Sequence, residues 1–178
     1  NAGCYGSYIA DYFLSLRAVL RDGTITNINL KELNFHYRGA SIPNGAIITE
    51  VNFRAEKNLP KKIEKKMIDA LAYRELNQPV KELSCGSTFR NPLGRSSTGR
   101  QNDTDHSLKA WKLIDGAGLR GMSIGGAKIS TKHPNFMINA GDATAKDLED
   151  LGNLVINRVK KSSGIELIWE IRRVGFNE

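Results

Sequence analysis

The stretch Cys85-Gly86-Ser87-Thr88-Phe89-Arg90-Asn91-Pro92 decides how the rest of the chain is read. Leu83 and Ser84 lead into it, a glycine frees the backbone, and a hydroxyl follows at once. An apolar ring, a cation and a side-chain amide come next, and a proline ends the run. Two readings fit. In one, a strand ends and passes into a turn, since Gly-Ser and Asn-Pro are ordinary punctuation. In the other, Ser87 is a hydroxyl proton donor set beside an anion-binding Arg90 and Asn91. The surrounding sequence has to choose between them.

Within 178 residues, 40% of them apolar, there is enough to bury a core as one large domain or two small ones. No run of residues resembles a membrane span or a secretory leader. Two cysteines, Cys4 and Cys85, do not make a disulfide framework, which points to a reducing cytoplasm. Three histidines and two cysteines show no zinc-ligand spacing, so no metal is expected. The net charge of +7 suits either nucleic acid or small anions such as nucleotide diphosphates. It is spread along the chain, and Lys61-Lys62 and Lys65-Lys66 read as the solvated face of a helix, so nucleic-acid binding is not expected.

From Ile9 to Phe53 the texture is β. Leu14, Leu16, Ala18 and Leu20 alternate with Ser15, Arg17, Val19 and Arg21, the period of a strand with one better-buried face. Asp22-Gly23 signals a hairpin into Thr24–Ile28, and the apolar run 46–53 reads as a further strand, central in its sheet. Near Glu56 the character changes. Pro60 opens a helix with Ile63, Met67, Ala70 and Leu71 on one face, ending before Gln78-Pro79. This predicts domains at 1–56 and 57–178.

Residues 93–107 read as an exposed, mobile loop, and Ser107 is placed to cap a helix bearing Ala110, Trp111 and Ile114. Gly121–Ile129 is expected to be extended, running through His133-Pro134-Asn135 into a strand at Phe136–Asn139. Thr144 and Asp147 form a capping box for a helix carrying Leu148, Leu151, Val155 and Val159. Ser163-Gly164 ends it, and Ile165–Val174 reads as a last strand. The second half is therefore α+β, helices layered on a sheet.

Few groups invite chemistry. Glu170 interrupts the apolar Leu167-Ile168-Trp169-Glu170-Ile171. It either points inward and needs a partner, or shares an exposed face with Arg172. Arg38 beside Tyr37 is either a surface arginine or a fork for a carboxylate. Gly125-Gly126-Ala127-Lys128 lacks the spacing and following hydroxyl of a phosphate loop. No Ser-His-Asp set is readable.

Taken together, these segments resemble one family over nearly the whole chain, the MurB flavoenzymes (UDP-N-acetylenolpyruvoylglucosamine reductase). The resemblance lies in Asn1-Ala2-Gly3-Cys4-Tyr5-Gly6, Tyr37-Arg38-Gly39-Ala40-Ser41, Gly86–Pro92, Ala117–Gly121 through Ile124–Ala127 with His133–Phe136, and Glu170-Ile171-Arg172-Arg173-Val174-Gly175, in that order. It implies the end of a mostly β FAD-binding domain of the vanillyl-alcohol-oxidase type, followed by a complete α+β substrate domain. On this reading the chain is a carboxyl-terminal part, with the main flavin-phosphate loop in a preceding segment. The short interval from Arg38 to Ser87 resembles the subclass lacking an extra tyrosine-bearing loop, and 95–104 resembles an insertion.

The resemblance also implies a reaction in peptidoglycan precursor synthesis. Hydride from NADPH, carried through FAD, reaches the terminal carbon of the enolpyruvyl ether of a UDP-sugar. Charge then develops on the neighbouring carbon and its carboxylate. Ser87 would return the proton, and Arg38 and Glu170 would flank the carboxylate. Asn91 would contact the diphosphate, Tyr37 the substrate, and Asn1, Ala2, Gly3 and Arg172 the flavin. A cytoplasmic monomer without a membrane partner is implied. Two rivals stand beside it. Another flavoprotein of the same fold would leave Ser87, Arg38 and Glu170 without a shared task. A basic nucleotide- or nucleic-acid-binding module would show salt-sensitive binding.

Overall fold

A computed structural model describes residues 1–94 and 108–175, so the expectations for residues 95–107, Ser107 included, fall outside the described residues. These residues form two compact units, Asn1–Asn58 and a second made of Leu59–Gly94 with 108–175.

The first unit begins with β1 (Gly3–Cys4), β2 (Ser7–Tyr8) and one helical turn, α1 (Ile9–Tyr12). Then come β3 (Phe13–Val19), β4 (Ile25–Asn29), β5 (Phe35–His36), β6 (Gly39–Ala40) and β7 (Ile47–Phe53). Asp22-Gly23 makes the expected hairpin between β3 and β4. The Asp22 carboxylate accepts from the Thr24 N–H at 2.9 Å, and Gly23 takes φ +84°. Phe13, Leu16, Ala18, Ile28 and Leu33 form this unit's core, with Phe35 stacked edge-on against Phe13 at 5.2 Å.

Two expectations fail here. Leu14 is 48% exposed while Phe13 is buried, because the β3–β7 register shifts between Phe13 and Ser15 and reverses the alternation. β7 lies at the edge of the sheet β4-β3-β7, not its centre, and every one of its residues is exposed. An apolar run indicates surface that needs covering, and the described residues do not cover it.

In the second unit, α2 (Pro60–Asn77) starts and stops where proline chemistry puts its ends. Its apolar face, Ile63, Met67 and Leu71, is exposed. Next come β8 (Leu83–Ser87), α3 (Ala110–Gly116), β9 (Ser123–Ile124), β10 (Ala127–Ile129), β11 (Phe136–Asn139) and α4 (Ala145–Ser163). The sheet order is β8-β11-β10-β9, antiparallel throughout. Gly121–Ile129 is not simply extended: β9 and β10 fold into a hairpin about Gly125-Gly126.

The capping box of α4 is present, with the Asp147 N–H donating to Thr144 Oγ1 at 3.1 Å and the Thr144 N–H to Asp147 Oδ2 at 2.9 Å. Leu151, Val155 and Val159 sink into a core shared with Ala110, Ile114, Ile129 and Met137. Gly164, at φ +74°, closes the helix. The expected last strand is reduced to one bridge, Phe89 with Trp169.

Candidate active site

The motif around Ser87 lies where the β8–β11 ladder gives way. Ser87 pairs with Phe136, but the register slips between Phe136 and Ile138, and Gly86 takes φ +87° on the β8 side. The Met137 N–H, left out of the ladder, donates to the buried Thr88 hydroxyl at 3.0 Å. Beyond Ser87 the chain is held from both sides. Toward the carboxyl-terminal segment, the Arg90 N–H donates to Ile168 O and the Glu170 N–H to Thr88 O, each at 2.8 Å. Toward β11, the Thr88 N–H donates to Asn135 O at 2.8 Å. The Asn135 side chain brackets Phe89, its Oδ1 accepting from the Phe89 N–H at 3.0 Å and its Nδ2 donating to Phe89 O at 2.8 Å.

Ser87 and Glu170 thus belong to neighbouring segments joined through Thr88, and both are half-buried. Arg172 is exposed. The segment carrying Glu170 is fixed by Trp169, whose ring meets that of Phe89 at 5.0 Å and is capped by the Arg173 guanidinium at 5.4 Å. Trp169 reaches α4 because Gly152 makes room: a Cβ there would come within 1.8 Å of its ring. Glycine inside a helix is unfavourable for its backbone, so this one answers to packing.

Asn91 has a structural task, its Oδ1 accepting from the Ala110 N–H at 3.0 Å and so capping α3. The Ala117–Gly121 motif serves the fold as well. Arg120 forks onto Asp115 at 2.8 and 2.9 Å and donates to Thr131 O at 2.6 Å, tying the end of α3 to the turn before β11. At Gly125-Gly126 the neighbouring group is Asp147. A Cβ on Gly125 would meet its carboxyl at 2.5 Å. Hydrogen bonds, the Thr144 backbone N–H first and Gly126 after it, hold that carboxyl below the usual carboxylate range. A carboxylate there opposes a second anion, in line with the rejection of a phosphate loop.

Tyr37 and Arg38 occupy the two-residue turn between β5 and β6, in the first unit. Arg38 has φ +58°, a left-handed conformation that costs a non-glycine residue. Its guanidinium sits 4.9 Å from the Tyr37 ring centroid, and Nη1 reaches Gly3 O at 3.5 Å.

The amino-terminal residues are held by bonds within the first unit. Asn1 donates from Nδ2 to His36 O at 2.9 Å and accepts from the Ala10 N–H at 3.2 Å. Ala2 O accepts from the Ile9 N–H. Gly3 lacks a side chain because the Tyr8 ring occupies that space. Among the described residues no group of three His, Cys, Asp or Glu could hold a metal, and no helix is long and apolar enough to cross a membrane.

Thr88 and Asn135 escaped the sequence reading, since His-Pro-Asn looks like turn punctuation. The available signal was a polar residue directly preceding the apolar Phe136-Met137-Ile138.

Comparison with known proteins places this geometry in a family. A family model described as UDP-N-acetylenolpyruvoylglucosamine reductase, C-terminal domain, matches residues 78–174. A protein of Cereibacter sphaeroides named UDP-N-acetylenolpyruvoylglucosamine reductase is 57% identical over 175 residues, covering 98% of this chain and 56% of that protein. The protein of that name from Paracoccus denitrificans is 54% identical over 175 residues, covering 98% of this chain and 57% of its own length. The crystal structure of UDP-N-acetylenolpyruvylglucosamine reductase (MurB) from Thermus caldophilus superposes with a TM-score of 0.74 at 34% identity, covering 96% of this chain and 56% of that one. The chain spans a little over half the length of these curated relatives. On the family match and these likenesses, the chain belongs to the UDP-N-acetylenolpyruvoylglucosamine reductase (MurB) family.

Proposed function

We propose that the chain supplies the substrate-handling part of a reductase that saturates the enolpyruvyl ether of a UDP-sugar in peptidoglycan precursor synthesis. NADPH and FAD are proposed for the intact protein, with the flavin held largely by residues outside this chain. The observation that carries the reading is the pairing of the Ser87 segment with the Glu170 segment, through the Glu170 N–H to Thr88 O bond and the Phe89–Trp169 bridge.

The reaction adds two hydrogens across a C=C bond, one as hydride to the terminal carbon and one as a proton to the carbon bearing the carboxylate. This chain's residues carry the proton. Negative charge on that carbon spreads into the carboxylate, and Arg38 is assigned to meet it with a guanidinium, worth most where water is excluded. Ser87 is assigned to pass its hydroxyl proton to the carbon and take another from solvent. A serine is a weak acid in water, so such a transfer depends on fixed geometry, which the bonds on either side of Thr88–Arg90 support. Glu170 is assigned to the carboxylate end of the same group. Asn91 and Tyr37 keep the substrate roles, and Asn1, Ala2, Gly3 and Arg172 the cofactor roles, that the resemblance implies, Asn91 alongside its cap on α3. A cytoplasmic monomer is part of the same proposal.

The test is to purify the intact protein and follow NADPH oxidation with and without the UDP-sugar enolpyruvyl ether. A yellow protein whose NADPH oxidation needs the ether supports the reading. A colourless protein, or one indifferent to the ether, overturns it.

A further inference from the structure

The Asn135 carboxamide does something unusual for a side chain after a proline: it takes the place of a peptide group. Strand β8 ends at Ser87, and β11 begins only at Phe136. Past Ser87 no strand remains on that side to pair with Phe89, whose backbone is buried with the residue only 1% exposed. Buried N–H and C=O groups need partners. Asn135, itself 5% exposed, supplies both with one planar group, acceptor to the N–H and donor to the C=O. Its own N–H donates to His133 Nδ1 at 3.2 Å, which fixes the turn from which the side chain projects. Phe89 is therefore held on one face by Asn135 and on the other by its bridge to Trp169.

We infer that Asn135 is a positioning residue that sets the place of Ser87 relative to Glu170 by completing the ladder opposite Phe89. On this inference it acts through the Phe89 backbone and not on the substrate. No other side chain among the described residues is shown bonding to the Phe89 backbone. Aspartate has the same shape but, ionised, cannot donate to Phe89 O, so N135D breaks half of the bracket without opening a cavity.

The inference rests on the proposed reductase function, and the experiment separates the two. In the intact protein, turnover is compared for wild type, S87A, N135D and the double variant, alongside hydrogen exchange of the peptide spanning 83–91. N135D is expected to lower kcat by about ten- to a hundredfold, the cost of an ångström-scale misplacement, with KM little changed. Amide exchange in 83–91 should rise. In the S87A background N135D should cost nothing further, because a residue acting only through Ser87 has nothing left to position. An equal loss in both backgrounds, or full kcat in N135D, overturns the inference. Should N135D yield too little soluble protein, N135S, too short to bracket Phe89, is read the same way. An inactive wild type, or an S87A variant as fast as wild type, instead overturns the function beneath it.

Discussion

The two units differ in how far each covers its own apolar surface. In the second, α3 and α4 close over one sheet face, and Leu151, Val155 and Val159 are fully buried. In the first, the sheet gathers a small core around Phe13 and Leu16, while β7 leaves Ile47 68% and Phe53 51% exposed. Helix α2 belongs to the second unit but behaves like the first, with no buried residue. The lesson is that apolar patterning marks a face as needing a cover without naming the cover. Where the same chain supplies it, pattern and burial agree, as along α4. Where the described residues do not, the pattern persists without burial, as along β7 and α2.

The comparison can be pressed hardest through chemistry. S87A in the intact protein is expected to lower ether-dependent NADPH oxidation by about a hundred- to ten-thousandfold, the range for losing a proton-transfer group. Reduction of the bound flavin by NADPH alone should be unchanged, and stopped-flow absorbance separates the two.

Packing comes next. G152A drives a methyl into the Trp169 ring, and overpacking of this kind costs about 1–3 kcal/mol. G116A, whose added Cβ meets nothing within 4 Å, should leave stability unchanged or raise it by up to about 1 kcal/mol. Urea midpoints read both. Equal effects would mean that the second unit is not closed around Trp169.

The second unit should also respond to acid through His133. Burial, ahead of the nearby Arg120 charge, pushes its pKa below the ordinary 6.5. The unfolded chain therefore binds the proton more readily, so stability is full above that ordinary value and falls as pH drops toward the folded pKa. Melting temperature should decline from about pH 7.5 to 5.5, and H133Q should flatten the decline.

The smallest effect is expected on β7. I47S should change the stability of this chain by less than about 0.5 kcal/mol, as for other exposed positions. The same substitution in the intact protein should cost more if further residues cover that face. Equal urea midpoints for wild type and I47S in both forms would remove the explanation offered here for the apolar run.

Much of the fold was legible because its signals are local. Pro60 and Gln78-Pro79 bound α2, Thr144 and Asp147 cap α4, and Asp22-Gly23 turns the first hairpin. The errors came from terms that only pairing supplies. A period of two puts Leu14 on the face of Leu16 and Ala18, because a register shift is invisible to it. The run at β7 suggested a central strand, although β3 holds that place. For the site, Ser87 and Glu170 were legible through resemblance, and they lie on adjacent segments. Asn135 was not, since nothing in His-Pro-Asn says that an amide will stand in for a strand 46 residues away in sequence.

The left-handed turn at Tyr37-Arg38 has a consequence for engineering. A two-residue hairpin loop with positive φ at its second position is where a designer would write glycine. R38G should therefore relax the first unit and raise its melting temperature, while removing the guanidinium assigned to the substrate carboxylate. R38K keeps both the charge and the backbone strain, and should gain nothing in stability. If R38G melts higher and turns over slower, this hairpin is a place where selection has traded robustness for reactivity, and a search for a hardier enzyme should leave it alone.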